Sequence, residues 1–177
     1  MPLPPLAGRP IRVELRRSLG PHLAATSIPR RLILIDSQTL QVPGDFERIL
    51  VHEIFHFAWR RLSNRTRWSW EDLLRSEFRA RATGELGWSA EWRKEKLKIK
   101  LKIKLARPDR EQILSPPAVL PRTPAWRRYA CESFCDSAAW LFSGLPDHDE
   151  FTLAPRFRLR RARWFRRHLP DTESIAI

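Results

Sequence analysis

Cysteine, tyrosine and long apolar runs are scarce in this chain of 177 residues, and the scarcity excludes several classes of protein. The two cysteines, Cys131 and Cys135, stand four residues apart in a predicted helix, where the geometry for a disulfide is poor. No apolar run approaches the roughly 18 residues of a membrane span, and the first ten residues lack the apolar core of a secretory signal. We therefore predict a cytoplasmic protein with reduced thiols and no transmembrane segment.

Lysine is confined to one short segment, although the whole chain is strongly basic. All six lysines fall between positions 94 and 104, the other basic residues are 27 arginines, and the formal net charge is +13. Such a charge favours acidic partners. The separate lysine usage indicates a low-complexity insertion over residues 94–107. Within it, Lys96–Leu105 alternates lysine with leucine or isoleucine, which predicts an amphipathic strand.

The remaining pattern predicts an α+β fold with a small N-terminal sheet packed on one helix and a mostly helical C-terminal part. Alternation in Ile11–Leu15 and the apolar run Arg31–Asp36 predict two strands. A helix is expected from Phe46 to about Leu62. Thr123-Pro124 is a good N-cap and first-turn pair for a later helix that continues through Trp140.

We predict one folded domain over residues 11–155. A flexible N-terminus at 1–10 precedes it, a proline-rich loop at 108–123 interrupts it, and a basic C-terminal helix and tail at 156–177 follow it. The run Arg156–Arg167 interleaves arginine with aromatic residues. This composition is typical of a partner-facing surface, and it makes nucleic acid or another acidic partner a candidate ligand.

The most informative motif is His52-Glu53-Ile54-Phe55-His56, which has the H-E-x-x-H form. Histidines at i and i+4 fall on one helical face, so both imidazoles can bind one Zn²⁺ from the same side. Glu53 then lies beside the metal as a candidate general base. The neighbouring positions are largely uncharged, as expected for a helix buried beneath a metal site.

A third metal ligand has to come from elsewhere in the chain. Glu132 is the best candidate because Glu132 and Asp136 stand at i and i+4 on a mostly apolar predicted helix. Two carboxylates there are costly unless they are paired or metal-bound. A zinc site satisfies both if Glu132 binds the metal and Asp136 accepts the free ring N–H of a ligand histidine. Glu77, Glu85, His148 and Asp136 itself remain alternative third ligands.

This combination resembles the gluzincins, zinc peptidases in which H-E-x-x-H is followed on a later helix by E-x-x-x-D. It also resembles ImmA/IrrE-type metallopeptidases, whose later helix carries E-x-x-A-[N/D]-x-x-A. The resemblance covers Arg31–Ser63 and Tyr129–Gly144, with Cys135 at the alanine position. It implies a zincin-like fold and a zinc cofactor. The implied roles are metal ligands for His52, His56 and Glu132, general base for Glu53, and a supporting hydrogen bond for Asp136.

The function implied is a zinc-dependent metallopeptidase that hydrolyses a protein or peptide substrate through a zinc-activated water, with Glu53 as the general base. Tyr129, His148 and Arg128 are candidates for stabilising the transition state. The strand Arg31–Asp36 is expected to offer an edge along which an extended substrate adds as a further strand.

The alternative is a basic nucleic-acid-binding or regulatory protein with a structural or vestigial zinc site. Under either hypothesis, Cys131 and Cys135 are interpreted as small core residues. The eight tryptophans are likewise interpreted as core and helix anchors, not as a base-stacking platform.

Overall fold

A computed structural model describes residues 1–106, 122–169 and 174–177, and of residues 100–106 the backbone alone. Its described part is α+β, which confirms the predicted fold class; the zincin-like arrangement stays a prediction. None of its helices has both the length and the apolar composition of a membrane span. The strands are β1 (Leu6–Ala7), β2 (Arg12–Arg16), β3 (Ala24–Ser27), β4 (Leu32–Asp36) and β5 (Ile175–Ala176). The helices are α1 (Asp45–Arg61), α2 (Asn64–Arg79), α3 (Trp88–Ala106), α4 (Pro124–Phe142) and α5 (Pro155–His168).

The larger sheet has the strand order β2-β4-β3. The central strand β4 pairs in parallel with β2 and antiparallel with β3, and its Ile33 and Ile35 are fully buried. The two predicted strands are confirmed, but the prediction that Arg31–Asp36 presents a free edge is wrong. A continuous apolar run is typical of a strand that is covered on both faces and paired on both sides. The strand next to β4 that forms one edge of the sheet is β3, which the sequence pattern did not predict.

Helix α1 carries the H-E-x-x-H motif between the sheet and the rest of the helices. It packs chiefly on α4 and also contacts β3 and β4. Its bounds, Asp45–Arg61, confirm the predicted helix to within one residue at each end. The N-cap and first-turn pair Thr123-Pro124 is also confirmed, because the Thr123 hydroxyl accepts the N–H of Trp126 at the start of α4. Two predicted helices therefore meet face to face.

The lysine-rich repeat lies in α3, so its prediction as a strand is wrong. Leucine recurs at 97, 101 and 105, a spacing of four that places these residues on one helical face. Lysine and leucine are also good helix formers. Lys94, which we placed at the start of an insertion, is buried, and its Nζ lies 2.9 Å from Glu85 Oε1. Apart from positions 122 and 123, the predicted proline-rich loop lies outside the described residues.

Both terminal segments contribute to the fold. Strand β1 pairs in parallel with β5, so part of the N-terminal segment expected to be flexible has a defined partner. Helix α5 is the predicted basic helix, but one side of it belongs to the core, because Phe157, Trp164 and Phe165 are buried. Arg161 on the same side is also fully buried. The arginine run is therefore only partly a solvent-facing surface.

Candidate metal centre

A cleft of about 420 Å³ opens between the outer strand β3 and helices α1, α3 and α4. Four of the predicted site residues line it, namely His52, Glu53, His56 and Glu132. The two histidines stand on consecutive turns of α1, and their ring centroids are 4.9 Å apart. The helical spacing of the motif thus brings both imidazoles to one cavity.

His52 is held between two carboxylates of α4. Its Nδ1 lies 2.7 Å from Asp136 Oδ1, and its Nε2 lies 3.4 Å from Glu132 Oε2. Burial disfavours the charged ring, but the nearby carboxylate of Asp136 outweighs burial, and the pKa of His52 is raised well above its ordinary value. When the ring is neutral, donation from Nδ1 to Asp136 leaves the Nε2 lone pair directed to the cleft.

Asp136 is itself fixed by the first turn of α3. The backbone N–H of Ala90 donates to Asp136 Oδ2 at 3.0 Å, and the hydroxyl of Ser89 donates to the same oxygen at 3.2 Å. Gly87 provides the space for this carboxylate, since a Cβ at Gly87 would lie 2.3 Å from Asp136 Cγ. Asp136 therefore stands in the position in which we predicted a supporting hydrogen bond to a ligand histidine.

Glu132 lies close to His52 and is also bound to α3. Its Oε1 is 3.2 Å from an Arg93 guanidinium nitrogen, and its Oε2 lies 3.0 Å from Ser89 Oγ, so Glu132 and Asp136 share the single hydroxyl hydrogen of Ser89. Burial raises the pKa of the carboxyl, but the hydrogen bond with His52 and the positive charges nearby outweigh burial and lower it to about 2. Glu132 is therefore an anionic oxygen donor beside the cleft at neutral pH.

The two cysteines contact His56, which the sequence interpretation did not foresee. The Sγ atoms of Cys131 and Cys135 lie 3.6 Å and 3.5 Å from His56 Nδ1. A hydrogen bond with Cys135 lowers the pKa of Cys131 to about 6, whereas burial raises the pKa of Cys135 well above its ordinary value. His52, His56 and Cys135 each offer a ligand atom, and these atoms lie within 4.8 Å of one another. Cys135 is therefore a second candidate for the third ligand.

The other candidate ligands lie elsewhere in the fold. Glu77 and Glu85 both bind Arg161, each with a contact of 2.7 Å, in a buried cluster. His148 Nε2 lies 3.1 Å from Asp45 Oδ1, at the first residue of α1. None of these three groups lines the cleft. Two candidates for the third ligand stay near the histidines: Glu132 lines the cleft beside His52, and Cys135 does not line it but has its Sγ within 4.8 Å of a ligand atom of each histidine.

The residues we expected to stabilise a transition state are not at the cleft either. Tyr129 is fully buried and donates to Glu85 Oε1 at 2.6 Å, because a buried hydroxyl requires a partner. Arg128 is exposed, and like His148 it does not line the cleft. The guanidinium groups that line the cleft belong to Arg93 of α3 and Arg60 of α1. The sequence carried no signal for Arg93, because a single arginine in a basic chain is not distinctive.

Comparisons with protein-family models, curated proteins and solved structures find no match to this chain. Two imidazoles, the Glu132 carboxylate and the Cys131 thiol line one cavity, and the Cys135 thiol lies close to both imidazoles. Asp136 orients one imidazole from behind. Nitrogen, oxygen and sulphur donors in this combination fit a borderline cation such as Zn²⁺ better than a hard cation such as Mg²⁺.

Proposed function

We propose that this protein is a zinc-dependent metallopeptidase that hydrolyses peptide bonds. The observation that carries the proposal is that His52 and His56 line one cleft from consecutive turns of α1, with Glu53 beside them. Within the described part of the chain, the Glu53 carboxylate has no hydrogen bond or ion pair. A purely structural metal site does not require such a free carboxylate, whereas hydrolysis requires a base.

The metal would be held by His52 and His56, with Glu132 or Cys135 as the third ligand. Zinc bound there would acidify a water molecule and polarise the carbonyl of the scissile bond. The carboxylate of Asp136 would keep the His52 ring in the orientation and tautomer that a ligand requires. Three protein ligands are the usual number in catalytic zinc sites, which retain an open position.

Glu53 is the proposed general base. Its side chain lines the cleft although the residue is only 8% exposed. It would take a proton from the attacking water and return it to the leaving amine. Arg93 lies 3.2 Å from Glu132 and lines the same cleft, so it is the candidate to stabilise negative charge on the carbonyl oxygen.

The outer strand β3 favours an extended peptide as the substrate. Ala24, Ala25 and Thr26 of β3 line the cleft, and β3 pairs only with β4 in the described sheet. A peptide can therefore add as a further strand along the free edge of β3. Trp88 and Trp92 lie on the α3 side of the cleft, and Trp88 is 66% exposed. The Trp88 ring offers apolar contacts to substrate side chains, whereas the cationic groups of Arg93 and Lys96 lie over the Trp92 ring.

The metal centre is tested by the zinc content of the purified wild type and of His52→Ala, Glu132→Ala and Cys135→Ser. We expect about one zinc ion per chain in the wild type and its loss in His52→Ala. Loss in Glu132→Ala together with retention in Cys135→Ser would assign the third ligand to Glu132, and the reverse pattern would assign it to Cys135. A wild type without zinc after reconstitution would overturn the proposal.

The enzymatic role is tested by the release of peptides from unfolded casein. Glu53→Gln should retain zinc and the wild-type unfolding midpoint, while kcat/KM falls by a factor of about 10² to 10⁴ because the general base is lost. Glu47→Gln is the matched control, since Glu47 is exposed on the same helix. Equal activity of Glu53→Gln and the wild type, or a zinc-loaded wild type that cleaves nothing, would favour a structural metal site.

A further inference from the structure

A second pocket, of about 410 Å³, lies between α2 and α5 and is separate from the metal centre. We call it the basic pocket; its lining residues are Arg65, Thr66, Ser69, Arg167 and His168. Two guanidinium groups, two hydroxyls and one imidazole thus face the cavity, and among the residues that the structure describes no carboxylate lines it. This composition selects for an anion that has several acceptor oxygens.

Packing between the two helices fixes the walls of the basic pocket. The indole N–H of Trp164 donates to Ser69 Oγ at 3.0 Å, and Ser69 Oγ lies 3.5 Å from His168 Nε2. The rings of Trp164 and His168 are 4.6 Å apart, and Trp164 is buried against Trp70. The side of the pocket formed by Ser69 and His168 is therefore fixed by the packing of α2 on α5, and Arg65 and Arg167 are exposed side chains at its rim.

The charge of the basic pocket is uncompensated within the described part of the chain. Residues 57–69 and 155–169 contain no aspartate or glutamate. The acidic residues that follow these ranges in sequence are Glu71 and Asp72, which pair with Arg122 and Arg75, and Asp171 and Glu173, which lie outside the described residues. Arg65 and Arg167 make no ion pair with a described residue, whereas the inward-facing Arg161 binds two carboxylates. Burial and the charge of Arg167 lower the pKa of His168, as expected where positive charge has no counter-ion. A bound anion would supply that counter-ion.

The surroundings of the pocket favour a polymer over a small anion. Arg60 and Arg61 are exposed at the end of α1, and Arg166 is exposed beside Arg167, so the positive surface extends beyond the cavity. Trp68, one turn from Arg65 on α2, is 48% exposed although it is a large apolar side chain, and the Arg122 guanidinium lies 5.5 Å from the centre of its ring. An exposed aromatic ring beside a row of arginines is how single-stranded nucleic acid is bound without base-specific contacts.

We propose that the basic pocket binds a backbone phosphate of single-stranded nucleic acid and that Trp68 stacks on an unpaired base. Arg65 and Arg167 would contact the phosphate oxygens, and His168 would line the pocket beside them. The Ser69 hydroxyl forms the wall and not a donor to the phosphate, because its hydrogen is donated to the carbonyl oxygen of Thr66. The basic pocket contains none of the proposed zinc ligands, so nucleic-acid binding and peptidase activity can be tested independently of each other. If both hold, nucleic acid would position this protein near its protein substrates.

The experiment is fluorescence anisotropy with a labelled oligothymidine of about 20 nucleotides, titrated between about 50 and 200 mM salt. The pocket variant is Arg65→Gln/Arg167→Gln. The control is Arg79→Gln/Arg81→Gln, which removes the same charge from two exposed positions. Arg79 is the last residue of α2, about 20 Å along the helix from Arg65, and Arg81 follows the end of the helix. We expect the pocket variant to lose at least about tenfold in affinity and to flatten the log–log salt slope by about 0.7, the value for one phosphate of a single strand, with less than threefold loss in the control. All four substituted arginines are exposed, so every variant should fold.

Trp68→Ala tests the stacking half of the proposal. It should weaken oligothymidine binding by about tenfold and duplex binding much less, because only an unpaired base can stack on the ring. Several results would overturn the proposal: no binding at low salt, equal losses in the pocket and control variants, or equal competition by polyglutamate of the same charge. Binding of inorganic phosphate without binding of the oligonucleotide would also overturn it and leave a small phosphorylated ligand.

Discussion

A single carboxylate, that of Asp136, connects the metal centre to α3. One of its oxygens contacts His52 at 2.7 Å, and the other accepts the N–H of Ala90 and the hydroxyl of Ser89. A charged group that is 3% exposed requires this many partners, because burial of an unpaired carboxylate is costly. The orientation of the His52 ring is therefore determined by residues on three helices, α1, α3 and α4.

The first prediction concerns the charge of Asp136. Asp136→Asn should lower the affinity for zinc by a factor of about 10 to 100, because the amide cannot stabilise the ligand imidazole as a carboxylate does. Competition with a chromogenic chelator measures this affinity. Asp72→Asn serves as the control, since the Asp72 side chain is 73% exposed. Unchanged affinity in Asp136→Asn would mean that the contact with His52 does not serve metal binding.

The second prediction concerns the space that Gly87 leaves. In Gly87→Ala the new Cβ would lie 2.3 Å from Asp136 Cγ, so the carboxylate has to move away from its position against His52. We expect a loss of zinc affinity similar to that of Asp136→Asn. In the double variant the two losses should not add, because both act through one contact. Additive losses in the same chelator assay would contradict this account.

At the residue scale, the sequence predicts the part of the site that lies on one helix. His52, Glu53 and His56 share a short motif, and their common face follows from helical geometry alone. Cys135 and Arg93 were missed because their roles depend on how α4 and α3 pack on α1. The spacing of Cys131, Glu132, Cys135 and Asp136 did contain a signal, since positions i, i+1, i+4 and i+5 share one side of a helix.

At the scale of elements, α5 is held to the other helices by a buried charge cluster. The Arg161 guanidinium contacts Glu77 of α2 and Glu85 of the α2–α3 loop at 2.7 Å each. Lys94 Nζ of α3 lies 2.9 Å from Glu85, and Tyr129 of α4 donates to the same carboxylate. Each charge in the cluster thus depends on its partners, and removal of one leaves another unpaired in the interior.

The third prediction is that Arg161→Met lowers the free energy of unfolding by about 3 to 5 kcal/mol, because Glu77 and Glu85 lose their shared cation. Urea denaturation followed by tryptophan fluorescence measures the change. The control is Arg163→Met on the exposed side of α5, for which we expect less than about 0.5 kcal/mol. If both variants unfold alike, Arg161 does not hold α5 in place.

The elements that the sequence predicts correctly are those with local signals. Thr123-Pro124 starts α4 through its own hydroxyl and ring, independently of tertiary contacts. The burial of Arg161 had no such signal, because its partner Glu77 is 84 residues away in sequence. The lysine-rich repeat fits both the two-residue period of a strand and the four-residue spacing of a helix. It is helical because it continues the helix that starts at Trp88. Short β3 is only four residues long and was too weakly patterned to detect.

At the scale of the whole molecule, α4 joins the metal centre to the buried charge cluster. One side of this helix carries Glu132 and Asp136 toward α1 and α3, and the adjacent side carries Tyr129 and Ser133 toward Glu85. Charges that are buried on two sides of one helix make the fold sensitive to protonation. Within the cluster, Glu85 is the group whose protonation at low pH we expect to destabilise the fold, and it is fully buried.

The fourth prediction is therefore an acid-dependent stability difference between the wild type and Glu85→Gln. Burial raises the pKa of Glu85, but the positive charges of Arg161 and Lys94 outweigh burial and lower it from 4.5 to about 2. A depressed carboxyl pKa stabilises the fold above pH 4.5, and this contribution is lost as the pH falls toward 2. Its full size is about 3 kcal/mol.

Urea unfolding at a series of pH values tests this sign. Glu85→Gln should be less stable than the wild type at pH 6, and the difference should shrink by more than half near pH 2, where the wild-type carboxyl becomes protonated and resembles the amide. Glu95→Gln, at a side chain 54% exposed on α3, should show no such convergence. A difference that stays constant with pH would mean that Glu85 stabilises the fold through its shape and hydrogen bonds and not through its charge.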